Sequence, residues 1–173
     1  MKKTVFILMI LISSFCGITT AKESVSSNAK SYEERCLRPT DFFNSNKGFW
    51  MISDSALESL VKKRGYSKVS EGPYRDPYNG SYDYATTIKT YQLKSTSGKW
   101  NKISIHFSDY EEGHDIIFSD QNQLNSFIKK AEKMGFKKSV SGNQAIWYDK
   151  RTGGMISWER AKPLQIRVYQ ANR

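Results

Sequence analysis

His106 and His114 are the only histidines in this 173-residue chain, and they flank an acidic run made of Asp109, Glu111, Glu112 and Asp115. This is the one concentrated set of groups that could bind a metal or move a proton. A zinc hydrolase needs ligands held close together on a rigid element, such as two histidines one helical turn apart, and that spacing does not occur. The run also lacks the alternating oxygen ligands and the placed glycine of an EF-hand loop. It reads as a solvated turn between two strands, with His106 projecting from the strand face opposite Ile105 as an exposed residue. No metal and no cofactor are implied. No G-x-S-x-G elbow and no phosphate-cradling loop occurs either, because Gly153-Gly154 leads into a strand rather than a helix. A small secreted hydrolase using His106 or His114 with Asp109 or Glu112 stands as a second alternative function; no catalytic residue is assigned.

Two other stretches suit binding. Tyr74, Arg75, Tyr78, Tyr82 and Tyr84 crowd around an Asn79-Gly80 turn. Tyrosine offers a large contact area with few rotors to freeze and a polar tip, so this composition suits a recognition loop. Lys129, Lys130 and Lys133, with Lys137 and Lys138, suit a basic ridge, joined by Lys62, Lys63, Arg64 and Lys68 if the two helices lie side by side. Such a ridge attracts anionic polymers, and its binding weakens with salt.

The elements that must position these groups are organised around residues 119–136. Leu124, Phe127, Ile128, Ala131 and Met134 recur at three- and four-residue spacing, which defines an amphipathic helix. Asp120 and Gln123 suit its start, and Gly135 followed by Phe136 suits its end. Residues 53–66 repeat that grammar, with Ser55 and Glu58 at the start, Leu57, Leu60 and Val61 on the buried face, and Gly65-Tyr66 closing. The likeness predicts internal repeats over 48–108 and 113–170.

Strands are predicted at 48–52 and 114–118, each feeding a helix, and at 82–94 and 100–107, joined by a hairpin turn at 95–98. A second hairpin joins 145–149 to 155–160, and Leu164, Ile166 and Val168 mark a last strand. The expected fold is therefore α+β: two tandem strand-helix-hairpin units forming antiparallel sheet with helices packed on one face, preceded by a short helix at 31–37. In architecture alone, tandem units of this kind resemble secreted bacterial inhibitors of the β-lactamase inhibitor protein type, without a shared residue motif.

Lys2 and Lys3, the apolar run from Val5 to Ile12 and the ending Thr19-Thr20-Ala21 have the form of a secretory signal peptide over 1–21. The style is bacterial. Lipid anchoring at Cys16 is disfavoured by Phe15 before it. Residues 22–30 read as a flexible leader and 31–173 as a single α+β domain. Without Lys2 and Lys3, 25 of the 27 Lys and Arg remain against 17 Asp and Glu, a net charge of +8. Only Cys36 of the two cysteines survives processing, as a free thiol or an intermolecular bridge. Its place near a helix end beside Glu33 and Glu34 opposes thiolate formation.

These features point to an exported, non-enzymatic module, periplasmic or secreted, that recognises a protein partner in an inhibitor-like or immunity-like role. The alternative is electrostatic attachment to an anionic envelope glycan or lipopolysaccharide through the lysines. Export disfavours nucleic acid as a partner, and no segment after the signal is apolar enough to cross a membrane.

Overall fold

Alternating burial along successive strands builds one broad sheet. A computed structural model describes residues 30–43, 51–76, 79–108 and 113–170. It contains two very short helices, α1 (Tyr32–Arg35) and α2 (Pro39–Phe42), then α3 (Asp54–Lys63) and four strands. These are β1 (Ser67–Arg75), β2 (Tyr82–Lys94), β3 (Trp100–Phe107) and β4 (Gly113–Phe118). Helix α4 (Gln121–Lys133) and four more strands follow: β5 (Lys137–Ser141), β6 (Gln144–Asp149), β7 (Gly154–Glu159) and β8 (Gln165–Gln170). All eight form a single sheet in the order β1-β2-β3-β4-β8-β7-β6-β5, with every neighbouring pair antiparallel.

This corrects the expected architecture. The molecule is mostly one eight-stranded antiparallel sheet with few helices, not two strand-helix-hairpin units. The strand expected at 48–52 is absent where it can be seen: Met51 makes only an isolated bridge to Phe43, and 44–50 lie outside the described residues. The strand expected to open a second unit is β4, which instead closes the first meander and joins the two halves by pairing with β8. Edge strands β1 and β5 have no counterpart in the sequence reading. Every residue of β5 is exposed, and β1 is exposed from Ser67 to Glu71 and alternates only beyond that, so neither carries the alternation of a half-buried strand along its length.

The sheet has two unlike faces. Tyr91 and Leu93 of β2, Ile103 and Ile105 of β3, Ile116 and Phe118 of β4, Trp147 of β6, Ile156 of β7, and Ile166 and Val168 of β8 are buried. They share one core with Leu57 and Val61 of α3 and with Leu124, Phe127, Ile128 and Ala131 of α4. The apolar stripe of α4 is thus the one its spacing indicates, with Met134 only partly buried. Asp120 caps it by accepting from Gln123 N at 2.9 Å. Its end is closed by Gly135 at φ +106° and by Phe136 N donating to Ala131 O. Helix α3 ends the same way, through Gly65 at φ +84° and Tyr66 N donating to Val61 O. A side chain at either glycine would strain the left-handed conformation. At its start α3 differs from expectation: Ser53 is the N-cap, and Glu58 turns instead to Lys62 at 2.8 Å and to the Tyr91 hydroxyl.

The amino-terminal segment is pinned to this core by polar contacts. The Tyr66 hydroxyl accepts from Leu37 N at 3.2 Å and donates to Asn101 Oδ1 at 2.6 Å, all of them buried. Arg64 donates to Cys36 O at 2.9 Å and pairs with Asp41, which in turn caps α2 by accepting from Arg38 N. The helix expected at 31–37 is shortened to α1, and Pro39, expected to stop it, opens the separate α2.

Candidate functional site

The second face of the sheet is formed by the alternate residues of the same strands. Ile88 of β2, Lys102, Ser104 and His106 of β3, and Asp115 and Ile117 of β4 lie on it, followed by Gln165, Arg167 and Tyr169 of β8. Met155 and Ser157 of β7 and Ile146 and Tyr148 of β6 continue it. Nearly all are half-exposed, in contrast to the buried residues between them.

A cleft of about 300 Å³ opens on this face. Tyr74 and Arg75 of β1 form one wall, and Glu159 and Lys162, at the end of β7 and in the turn beyond it, form another. His106, Asp115 and Arg167 complete the lining, brought together by the Ser104–Asp115 and Asp115–Arg167 pairings. His106 Nε2 lies 3.2 Å from Asp115 Oδ2, and the Tyr74 ring packs 6.1 Å from the imidazole, centroid to centroid. Burial raises the Asp115 pKa, but the His106 hydrogen bond and charge and the nearby Arg167 outweigh it and hold the carboxyl below its usual range. Arg167 lies across Gly113, where a Cβ would come within 2.8 Å of its Nε. The missing side chain makes room for the guanidinium.

His106 is only 2% exposed, so the expectation of an exposed strand residue is wrong. Its cover comes from Tyr74, which is distant in sequence and arrives only because β1 joins the sheet beside β2. His114 points the other way. It is fully buried on the core side, where Nε2 lies 3.5 Å from Asp54 Oδ1 without the alignment of a hydrogen bond, while Nδ1 accepts from His106 N at 3.4 Å. Burial, then the neighbouring His106, lowers the His114 pKa to about 4, so the ring is neutral at physiological pH. Each histidine thus has its own carboxylate on its own face, and the two do not converge on one centre. Asp109, Glu111 and Glu112 lie outside the described residues. Among the described residues, no group of three His, Cys, Asp or Glu is placed to hold a metal ion.

The tyrosine stretch divides. Tyr74 enters the cleft wall, whereas Tyr82 and Tyr84 are 53% and 80% exposed with their rings 6.0 Å apart. The cause is the β1–β2 register, which shifts between Pro73 and Tyr74, so that Tyr74 pairs with Asp83 while Pro73 pairs with Thr87. The extra β2 residues bulge, and Tyr84 is thrown outward. Arg75 is held beneath this bulge, donating from Nε to Gly80 O at 3.3 Å and lying 5.7 Å from the Tyr82 ring centroid. Tyr78 lies outside the described residues.

Lys129, Lys130 and Lys133 are exposed on α4, away from its buried stripe, and none of them lines the cleft. Lys138 is on edge strand β5, 5.2 Å from the Trp147 ring centroid. Cys36 follows α1, half-buried, and burial pushes its thiol pKa up, which disfavours the reactive thiolate.

No protein-family model, curated protein or solved structure matches this chain. The architectural likeness to secreted inhibitors therefore has no structural match behind it, and the argument for function rests on the molecule's own surfaces. No described helix is long and apolar enough to cross a membrane.

Proposed function

We propose that this chain is an exported binding protein, without catalytic activity of its own, that recognises a protein partner on the second face of its sheet. The observation that carries the reading is the character of that face. Seven inter-strand steps of about 4.8 Å by strands of about six residues make a surface of roughly 700 Å², close to the roughly 800 Å² each partner contributes to an ordinary protein interface. Ile88, Ile117, Ile146 and Met155 supply half-exposed apolar area around a polar cleft, and no described helix covers them. A water-facing antiparallel sheet normally presents polar residues there. The exposed Tyr82–Tyr84 pair extends the same end of the sheet into a rim of the kind that recognition surfaces favour. The charged start and apolar run of residues 1–21 support export, and the net charge of the remaining chain favours an acidic partner.

The test is capture of a stoichiometric protein from envelope and culture fractions, compared between the native protein and Ile117→Glu. Lys102 lies directly opposite Ile117 and accommodates the new carboxylate, so the fold tolerates the change. The expected result is capture that survives high salt and is lost in Ile117→Glu. Capture undiminished by Ile117→Glu removes the proposed face.

A further inference from the structure

We infer that the cleft bounded by Arg75 and Lys162 is a carboxylate-receiving subsite, and that the protein partner docks by inserting an aspartate or glutamate side chain into it. This rests on the binding face proposed above and names what enters its centre.

Charge, and which groups are already engaged, decide what the cleft receives. Asp115, the carboxylate on the cleft floor, is occupied from within by His106 at 3.2 Å and by the field of Arg167. The walls differ. Arg75 and Lys162 make no ion pair among the described residues, although both line the cleft. Arg75 is also fixed in place by Gly80 O and the Tyr82 ring, contacts that leave most of its N–H donors uncommitted. Glu159 is the only lining carboxylate without such a cation, and its Oε1 accepts from Gln144 Nε2 at 3.3 Å. An entering group therefore meets two lining cations that make no ion pair among the described residues, Arg75 and Lys162, against one carboxylate, Glu159, because Asp115 and Arg167 already act on each other.

A carboxylate fits this arrangement better than the alternatives. A pre-positioned guanidinium presents a planar fork that a carboxylate matches with two parallel hydrogen bonds. An entering lysine would face the cations of both walls, Arg75 and Lys162. The cleft volume of about 300 Å³ admits a side chain but not a folded segment, so the surrounding apolar face makes the remaining contact.

The experiment uses the purified protein and N-acetyl-glutamate α-amide as probe, read by NMR at the Arg75 and Arg167 Nε–H groups and the His106 ring. The expected result is a saturable shift of these signals, at least tenfold weaker in affinity in Arg75→Ala and in Lys162→Ala, and absent with N-acetyl-glutamine α-amide. Inorganic phosphate forms a third arm. A response to phosphate stronger than to the glutamate probe overturns the carboxylate in favour of a phosphorylated or polyanionic ligand. An equal response to the glutamine probe, an unchanged affinity in both alanine variants, or no saturable shift overturns the subsite altogether. These outcomes are separable from the parent reading, because loss of protein capture in Ile117→Glu is scored without the probe. Capture lost there with no glutamate response leaves the face standing and removes only the carboxylate.

Discussion

Ile116 and Ile117 are neighbours on β4 with the same side chain and opposite fates. Ile116 is fully buried among the core residues, while Ile117 is half-exposed on the other face, between Lys102 and Gln165. The difference teaches that the sheet separates two tasks. One face is filled to hold the molecule together, and the other leaves half-exposed apolar area and the His106–Asp115 cleft, where the proposed partner docks.

The largest effect that would sharpen this contrast is a pair of truncations. Ile116→Ala should lower the unfolding free energy by about 2–5 kcal/mol, whereas Ile117→Ala should change it by less than about 1 kcal/mol, both measured by urea denaturation. Equal losses would mean that the two faces are not distinct in packing.

Acidification should act through the core face first. The folded-state pKa of His114 is lowered to about 4 from 6.5, so its contribution is fully present above pH 6.5 and is lost as pH falls toward 4. The loss should reach about 3 kcal/mol, an order-of-magnitude figure for a ring this buried. Asp115, held below its usual range, adds to the loss in the same direction at still lower pH. Unfolding free energies measured from pH 7.5 to 4 should show this slope, and His114→Gln should flatten it; a native profile that is flat over that range contradicts a neutral buried His114.

A smaller effect belongs to the polar pins. Tyr66→Phe leaves Leu37 N–H and Asn101 Oδ1 without their buried partner, and should destabilise by about 1–3 kcal/mol. Smallest of all, the double change Tyr82→Ala with Tyr84→Ala should alter stability by under about 0.5 kcal/mol while weakening partner capture. A large loss of stability there would make these tyrosines packing residues rather than a rim.

Much of the local structure was legible because one face of each element is buried. Helix α4, its Gly135 ending, and strands β2, β3, β6 and β7 announce themselves by periodicity and turn residues. Strands β1 and β5 were not legible, because an edge strand exposed on both faces carries no alternation, and Ser67-Lys68-Val69-Ser70 reads as a loop. With those strands missed, the single sheet was broken into hairpin units. Of the cleft, the tyrosine-rich composition around Tyr74 and Arg75 was visible, but their meeting with His106, Asp115, Lys162 and Arg167 depends on a strand order that joins β4 to β8. Strand β4 does carry one signal of the second face. The consecutive Ile116-Ile117 breaks alternation in β4 and marks a second face that is not wholly wetted. Export and the partner's nature belong to the proposed function, and residues 1–29 lie outside the described structure.

The central claim is that recognition belongs to the second face of the sheet rather than to the lysines of α4. Its most direct test is one capture experiment on envelope and culture fractions, washed at low and high salt, with the native protein, Ile117→Glu and the triple charge reversal Lys129→Glu, Lys130→Glu, Lys133→Glu. The account predicts a stoichiometric protein retained at high salt by the native protein and by the triple reversal, and lost by Ile117→Glu. Material held only at low salt, released by the triple reversal and indifferent to Ile117→Glu, would contradict it and assign the binding to anionic polymers on α4.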